Sequence, residues 1–248
     1  PAEIMHAEQE LLREGTSIEE LQRLCDVHSA LFHGSATDAQ KLHAKDIQDQ
    51  RLSAAAALIQ ISGHPLQTFT LENAALEKLI ARAKQVLENG TINEESLNEL
   101  RQIAIHYARK GDLLYPHLKV QYGISGPSAV MWTVDDEIRD ELNALAKQKD
   151  QKETDAWKQR LNAVLTRMEE MIYKESNILF PNCALNFSEE EWYHIYRDAK
   201  DYAECFGIRG DSWEAAEAHL TDTASTADTL SVEHAFADGE TRIHLPGG

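Results

Sequence analysis

The stretch PLQTFTLENAALEKLIARA, residues 65–83, is the part of the sequence from which the fold follows most directly. Its apolar side chains recur at spacings of three and four residues, the pattern of an amphipathic helix with one face on a core. Within that face the carboxylate of Glu72 stands among Phe69, Leu76 and Ala83. An ionised group buried in this way must be paired, protonated or bound to a metal. The stretch therefore predicts a core helix whose buried Glu72 is paired, protonated or bound to a metal.

Four more predicted helices carry a histidine or an acidic residue on a face that is otherwise apolar. Groups of this kind, brought from several helices into one core, are what a metal site in a helical bundle requires. His64 stands just before the proline that opens the helix of residues 65–83, and it adds one more nitrogen. We therefore predict a metal site formed by His28, His64, Glu72, His106, Asp135 and Glu175.

The composition excludes several classes of protein. The chain has 248 residues and a formal net charge of −18 at pH 7, whereas nucleic-acid binding needs clustered Lys and Arg. No apolar run approaches the ~20 residues that span a bilayer, and the first residues do not resemble a signal peptide. We therefore expect no nucleic acid or membrane as a partner, and a cytoplasmic location. The three cysteines, Cys25, Cys183 and Cys205, do not form a disulfide framework.

Capping and turn signals divide almost the whole chain into helices, so we predict an all-α protein. Gly111 and Pro116 are expected to kink one helix, and Pro181 is expected to end another. The helical pattern fails from Gly207 onward, where a stretch rich in Ser, Thr and Ala predicts a linker. The predicted helices span residues 3–14, 17–32, 39–61, 65–88, 93–122, 128–149, 155–180 and 188–205.

Several motifs together resemble the hemerythrin-like cation-binding (HHE) domain, in the branch that a DUF438 domain precedes. Residues 8–15 and 24–32 are similar to the end of the DUF438 region, and the resemblance extends to about residue 206. The motifs are Gly63-His-Pro-Leu66, Leu71-Glu-Asn73, His106-Tyr-Ala-Arg-Lys110, Leu114-Tyr-Pro116, Val130-Met-Trp132, Asp135-Asp-Glu-Ile-Arg139 and Lys174-Glu-Ser-Asn-Ile-Leu-Phe-Pro181.

The resemblance implies an up-down four-helix bundle (hemerythrin-like) around a non-haem di-iron site, with additional N-terminal helices and a C-terminal helix. It divides the chain into an N-terminal helical region at 1–62, the bundle at 63–206 and a tail at 207–248. In this branch a PAS sensor domain often follows the bundle. The candidate set of three imidazoles and three carboxylates suits iron, with zinc or manganese as the other metals considered.

The function implied is sensing of oxygen, nitric oxide or redox state, or iron handling. A small diatomic ligand at an open coordination position is the expected partner, together with a second copy of the chain or a C-terminal sensor domain. No glycine-flanked serine nucleophile occurs, so we do not expect an enzyme with a nucleophile.

The chain departs from the family pattern at several ligand positions, and the departures keep other interpretations open. Lys110 stands where a Glu is usual, and its positive charge can take the place of a metal ion. The second interpretation is therefore a metal-free interaction or dimerisation module. A haem held by two of His28, His64 and His106 is the third interpretation. Single residues also have roles other than metal binding open to them. His64 can cap a helix, Glu72 can form an ion pair with Lys110 or Arg109, and Glu175 can form an ion pair with Lys110. The departures are Gln67, Lys110, Gly111, Asp135, Met171 and Ser176.

Overall fold

A computed structural model describes residues 38–123, 126–152 and 154–222. Within these ranges the chain forms helices and no β-strand; the only β-type pairing among them is an isolated bridge between Cys205 and Ile208. The helices are α1 (Asp38–Ile59), α2 (Pro65–Asn89), α3 (Glu94–Arg101), α4 (Ile103–Leu113), α5 (Tyr115–Val120), α6 (Gly126–Lys147), α7 (Asp155–Lys174), a π-helical turn (Glu175–Leu179), α8 (Phe180–Asn186), α9 (Glu189–Ala199) and α10 (214–222).

Four helical rods make the bundle: α2, the series α3–α5, α6, and α7 continued by α8. Neighbouring rods are antiparallel, since residue numbers rise along one rod as they fall along the next. For example, Glu141 of α6 pairs with Arg160 of α7, and Glu137 pairs with Arg167. The apolar faces of the rods share one core, so the predicted all-α bundle is confirmed.

The second rod is interrupted at two points. It was predicted as one helix over residues 93–122, but it is interrupted at Gln102 and again at Leu114. The second break precedes Pro116, which lies in the first turn of α5, where its missing N–H is tolerated. Gly111 stays inside α4.

The prediction that Pro181 ends the fourth rod is wrong. A π-helical turn over Glu175–Leu179 precedes the proline, and the rod then continues as α8 to Asn186. The proline lies in the first turn of α8, so the wider turn accommodates a residue that cannot donate a backbone hydrogen bond. Helix α8 packs on α1, which lies outside the four rods.

The region after α9 departs from the prediction as well. Helix α9 begins with a capping box of Ser188 and Glu191 but ends at Ala199, several residues before the end predicted at residue 205. An additional helix, α10, follows at 214–222, and Trp213 at its start is buried in the core. The backbone of Trp213 lies against Gly63, which has a φ of 78° and leaves no room for a Cβ atom.

No helix in the part of the chain that the structure describes is long and apolar enough to cross a membrane. His28 and the predicted helices at 3–14 and 17–32 lie outside the described residues.

Candidate metal centre

Four of the six predicted ligands meet in the middle of the bundle. Glu72 comes from α2, His106 from α4, Asp135 from α6 and Glu175 from the π-helical turn, so every rod contributes one side chain. All four are buried. The polar residues that the sequence places singly on the apolar faces of four rods thus form one shared cluster in the core.

His106 lies between two carboxylates. Its Nδ1 is 2.8 Å from Oε2 of Glu72, and its Nε2 is 3.1 Å from Oε2 of Glu175. Burial lowers the pKa of His106, but the Glu175 and Glu72 carboxylates more than offset this effect and raise the pKa to about 9. In the absence of a metal the ring is therefore doubly protonated at neutral pH and donates to both acids.

Arg109 neutralises Glu72. Its Nη1 donates to Oε1 of Glu72 at 2.7 Å, and its Nη2 donates to the carbonyl of Ala203 at 3.0 Å. Both side chains of the pair are almost fully buried. The alternative pairing of Glu72 with Arg109, rather than with Lys110, is the one that the structure contains.

Lys110 joins the other two acids. Its Nζ donates to Oδ1 of Asp135 at 2.9 Å and also to Oε1 of Glu175. Burial favours a higher pKa for Glu175, but Lys110 and His106 outweigh it and lower the pKa to about 2. Burial, only partly offset by Lys110, raises the pKa of Asp135 to about 6, and Tyr115 donates to Oδ2 of Asp135 at 3.0 Å.

The cluster is balanced in charge when His106 is protonated. Three carboxylates face three cations, and each carboxylate has at least one cationic partner within hydrogen-bonding distance. Because an unpaired charge in a protein interior costs several kcal/mol, this balance permits the core to form without a metal. The six residues are Glu72, Asp135, Glu175, His106, Arg109 and Lys110.

Cys205 is a further member of the cluster that the sequence analysis did not select. One ligand atom from each of Glu72, His106 and Cys205 lies within 4.8 Å of the others, and all three residues are buried. Burial together with the Glu72 carboxylate raises the pKa of the Cys205 thiol, which is therefore protonated in the metal-free core. Cys205 lies on the irregular segment after α9, so no helical periodicity could have indicated its position.

His64 caps α2 and is not part of the cluster. Its Nδ1 accepts the backbone N–H of Leu66 at 3.1 Å, and its ring packs between Trp192 and Trp213, with centroids 4.7 Å from each. Burial lowers the pKa of His64 to about 3, so the ring is neutral at physiological pH. The structure thus gives His64 the capping role that the sequence had offered as the alternative.

A cavity of about 510 Å³ lies beside the cluster, between the start of α2 and the segment that follows α9. Arg109 and Phe69 line it on the side of the cluster, and Ala203 and Ile208 line it on the side of the segment that carries Cys205. Phe206 in that segment has a φ of 54°, which places a non-glycine residue in the left-handed region. The cavity therefore borders the cluster and the segment that supplies its cysteine.

The architecture is thus a four-helix bundle whose core holds a buried cluster of carboxylate, imidazole and thiol groups. Residues 64–183 match the family model of the Hemerythrin HHE cation binding domain, and residues 1–38 match DUF438, a family of unknown function. The chain therefore carries a hemerythrin HHE cation-binding domain, as the motifs predicted, and this membership supports a metal-binding module with a metal cofactor. No curated protein matches the chain.

Proposed function

We propose that this bundle is a metal-binding sensor or iron-handling module that holds one transition-metal ion on Glu72, His106 and Cys205. The observation that carries the proposal is that one ligand atom from each of these residues lies within 4.8 Å of the other two in a buried site. Three protein ligands with a further position left open are the arrangement of metal sites that bind an external ligand.

The hydrogen bonds of His106 support this assignment. Glu175 holds the Nε2 atom, and the Nδ1 atom faces Glu72. A ligating histidine commonly donates its second ring N–H to a carboxylate, which fixes the orientation of the ring. We therefore assign Nδ1 as the ligand atom, with Glu175 as the residue that orients the ring and Arg109 as the residue that holds Glu72.

The residues fit one ion and do not fit two. A second ion in the manner of a di-iron centre would have to use Asp135 and Glu175, but the Nζ of Lys110 already binds both carboxylates. A set of nitrogen, oxygen and sulfur donors suits iron or zinc better than manganese, which prefers oxygen ligands. We therefore propose one ion in place of the di-iron site that the sequence led us to expect. Iron is the metal that the family resemblance implies.

The cavity supports a role in sensing. It lies next to Arg109 and Phe69 and has room for a small molecule on the side of the cluster from which Cys205 enters. When bound, a metal with an open coordination position binds a diatomic ligand or exchanges one electron. The segment from Ala203 to Ile208 links the two sites, because Ala203 and Ile208 line the cavity and Cys205 belongs to the cluster. Through this segment a structural change in the cavity or at the metal is transmitted to the other site.

Metal content tests this proposal directly. Protein purified without oxygen is analysed for iron and zinc, and the metal-free protein is then titrated with cobalt(II) while its absorption is recorded. We expect about one ion per chain and a near-ultraviolet sulfur-to-cobalt band. Cys205→Ser should abolish the band, whereas Cys183→Ser, which replaces a buried cysteine of α8, should keep it. Absence of bound metal, or an unchanged band in Cys205→Ser, would refute the proposal.

A metal-independent interaction module is the second candidate, favoured by the balanced charge of the cluster. Because every carboxylate of the cluster already has a cationic partner, the bundle can fold and present its surface without an ion. A folded protein that takes up neither iron, zinc nor cobalt would establish this alternative. A Soret band in the purified protein would instead indicate haem.

A further inference from the structure

Lys110 is a cation in the middle of the bundle, and its surroundings are those of a bound ion. The residue is fully buried, and its Nζ lies between Asp135 of α6 and Glu175 of the π-helical turn. The same ammonium lies 4.2 Å from the centroid of the Tyr107 ring, within the range of a cation–π interaction. The site thus surrounds a single positive charge with two carboxylates and an aromatic face.

The two carboxylates are oriented by other donors, so they form a built site. Tyr115 donates to the second oxygen of Asp135, while Asn73 and His106 are both within hydrogen-bonding distance of the second oxygen of Glu175. Each acid consequently keeps one oxygen directed at the Nζ of Lys110. Two buried carboxylates arranged in this way need a cation between them unless one of the two is protonated.

We infer that the ammonium of Lys110 replaces the second metal ion of the bundle, and that Asp135 and Glu175 form a latent site for a divalent cation that Lys110 blocks. The inference deepens the proposed function, since it explains why one ion rather than two is expected. It depends on different atoms, however: the latent site consists of carboxylate oxygens, whereas the proposed metal site combines a nitrogen, an oxygen and a sulfur. Oxygen ligands favour a hard ion such as manganese(II).

Lys110→Met tests the inference, because methionine has a similar length and no charge. The variant and the unchanged chain are titrated with manganese(II), and bound ion is measured by electron paramagnetic resonance together with the thermal unfolding temperature. We expect the variant to gain about one manganese ion per chain and an unfolding temperature that rises with manganese concentration. The unchanged chain should gain neither. Lys84→Met, which removes a part-exposed lysine that pairs with Glu169, is the matched control and should also gain neither.

The double variant Lys110→Met with Asp135→Asn keeps the test decisive if the single variant unfolds. Removing one acid together with the cation should restore folding in metal-free buffer and abolish manganese binding. A single variant that folds only in the presence of manganese supports the inference. A single variant that binds no manganese, whether folded or unfolded, overturns the inference. A double variant that fails to fold also overturns it, because Lys110 would then be needed for packing rather than for charge.

The two proposals fail separately. The single-ion proposal fails if the unchanged chain binds no iron, zinc or cobalt. The latent-site inference fails if Lys110→Met gains no manganese relative to the unchanged chain, whatever the outcome at Cys205.

Discussion

The Nη1 atom of Arg109 donates to Oε1 of Glu72 at 2.7 Å, and this ion pair joins α2 to α4 with both side chains almost fully buried. Removal of one partner from a buried pair leaves the other charge uncompensated. In an exposed pair, by contrast, water solvates the charge that remains after one partner is removed, so the loss of stability is small.

Arg109→Met should therefore lower the free energy of unfolding by about 3–5 kcal/mol in metal-free buffer. Arg197→Met should change it by less than ~1 kcal/mol, since Arg197 pairs with Asp198 on the surface of α9. Urea denaturation of both variants measures the difference. Equal effects of the two substitutions would contradict the view that Glu72 depends on Arg109 for its charge.

Two tyrosines of the core differ in what their hydroxyl groups bind. The hydroxyl of Tyr115 donates to Asp135 at 3.0 Å, whereas the buried hydroxyl of Tyr107 has no hydrogen-bond partner in the described structure. Tyr115→Phe should lower the unfolding free energy by about 1–3 kcal/mol because Asp135 loses a donor. Tyr107→Phe should be neutral or stabilising, because it removes an unsatisfied polar group and keeps the ring beside Lys110. The reverse order of the two variants in urea melts would show that the hydroxyls do not act as described.

Gly63 and Gly111 should respond in opposite directions to alanine. At Gly63 the φ is 78°, and a Cβ atom would lie 2.5 Å from the backbone of Ser212 and Trp213. Gly63→Ala should therefore destabilise the fold by about 2 kcal/mol or more. Gly111 lies within α4, where a Cβ atom would meet nothing within 4 Å, so Gly111→Ala should stabilise by about 0.5–1 kcal/mol. Thermal melts of the two variants beside the unchanged chain measure both effects.

His64 should make the fold sensitive to acid. Burial lowers its pKa from 6.5 to about 3, so between these values the unfolded chain binds one more proton at this position than the folded chain. Stability therefore falls as the pH falls through this window, by about 1.4 kcal/mol per pH unit and so by about 2 kcal/mol between pH 6.5 and 5.

His64→Asn is the variant that tests this dependence, because an asparagine side chain also caps helices and does not titrate. The ring contacts with Trp192 and Trp213 are lost, so the comparison is of slopes with pH and not of absolute stabilities. Urea melts at several values between pH 5 and 7.5 should give a shallower pH dependence for the variant. Parallel curves would exclude His64 as a source of acid sensitivity.

The sequence predicted the rods of the bundle well where a long apolar stripe runs without interruption. The helix predicted at 65–88 is Pro65–Asn89 in the structure, and that predicted at 128–149 is Gly126–Lys147. Interruptions were predicted less well. Pro181 does not end its rod, because the π-helical turn before it changes the hydrogen-bond register, and no pattern in the sequence indicated that turn.

Spacing alone determined that Glu72, His106, Asp135 and Glu175 face a core, because three-and-four periodicity fixes which side of a helix a residue occupies. Their partners became clear only from the folded bundle. There Glu72 pairs with Arg109, Asp135 and Glu175 both pair with Lys110, and Cys205 joins the cluster from a segment without periodicity. The physical reason is that burial is a property of one helix face, whereas the pairing of charges depends on distances of a few ångströms between side chains from different rods.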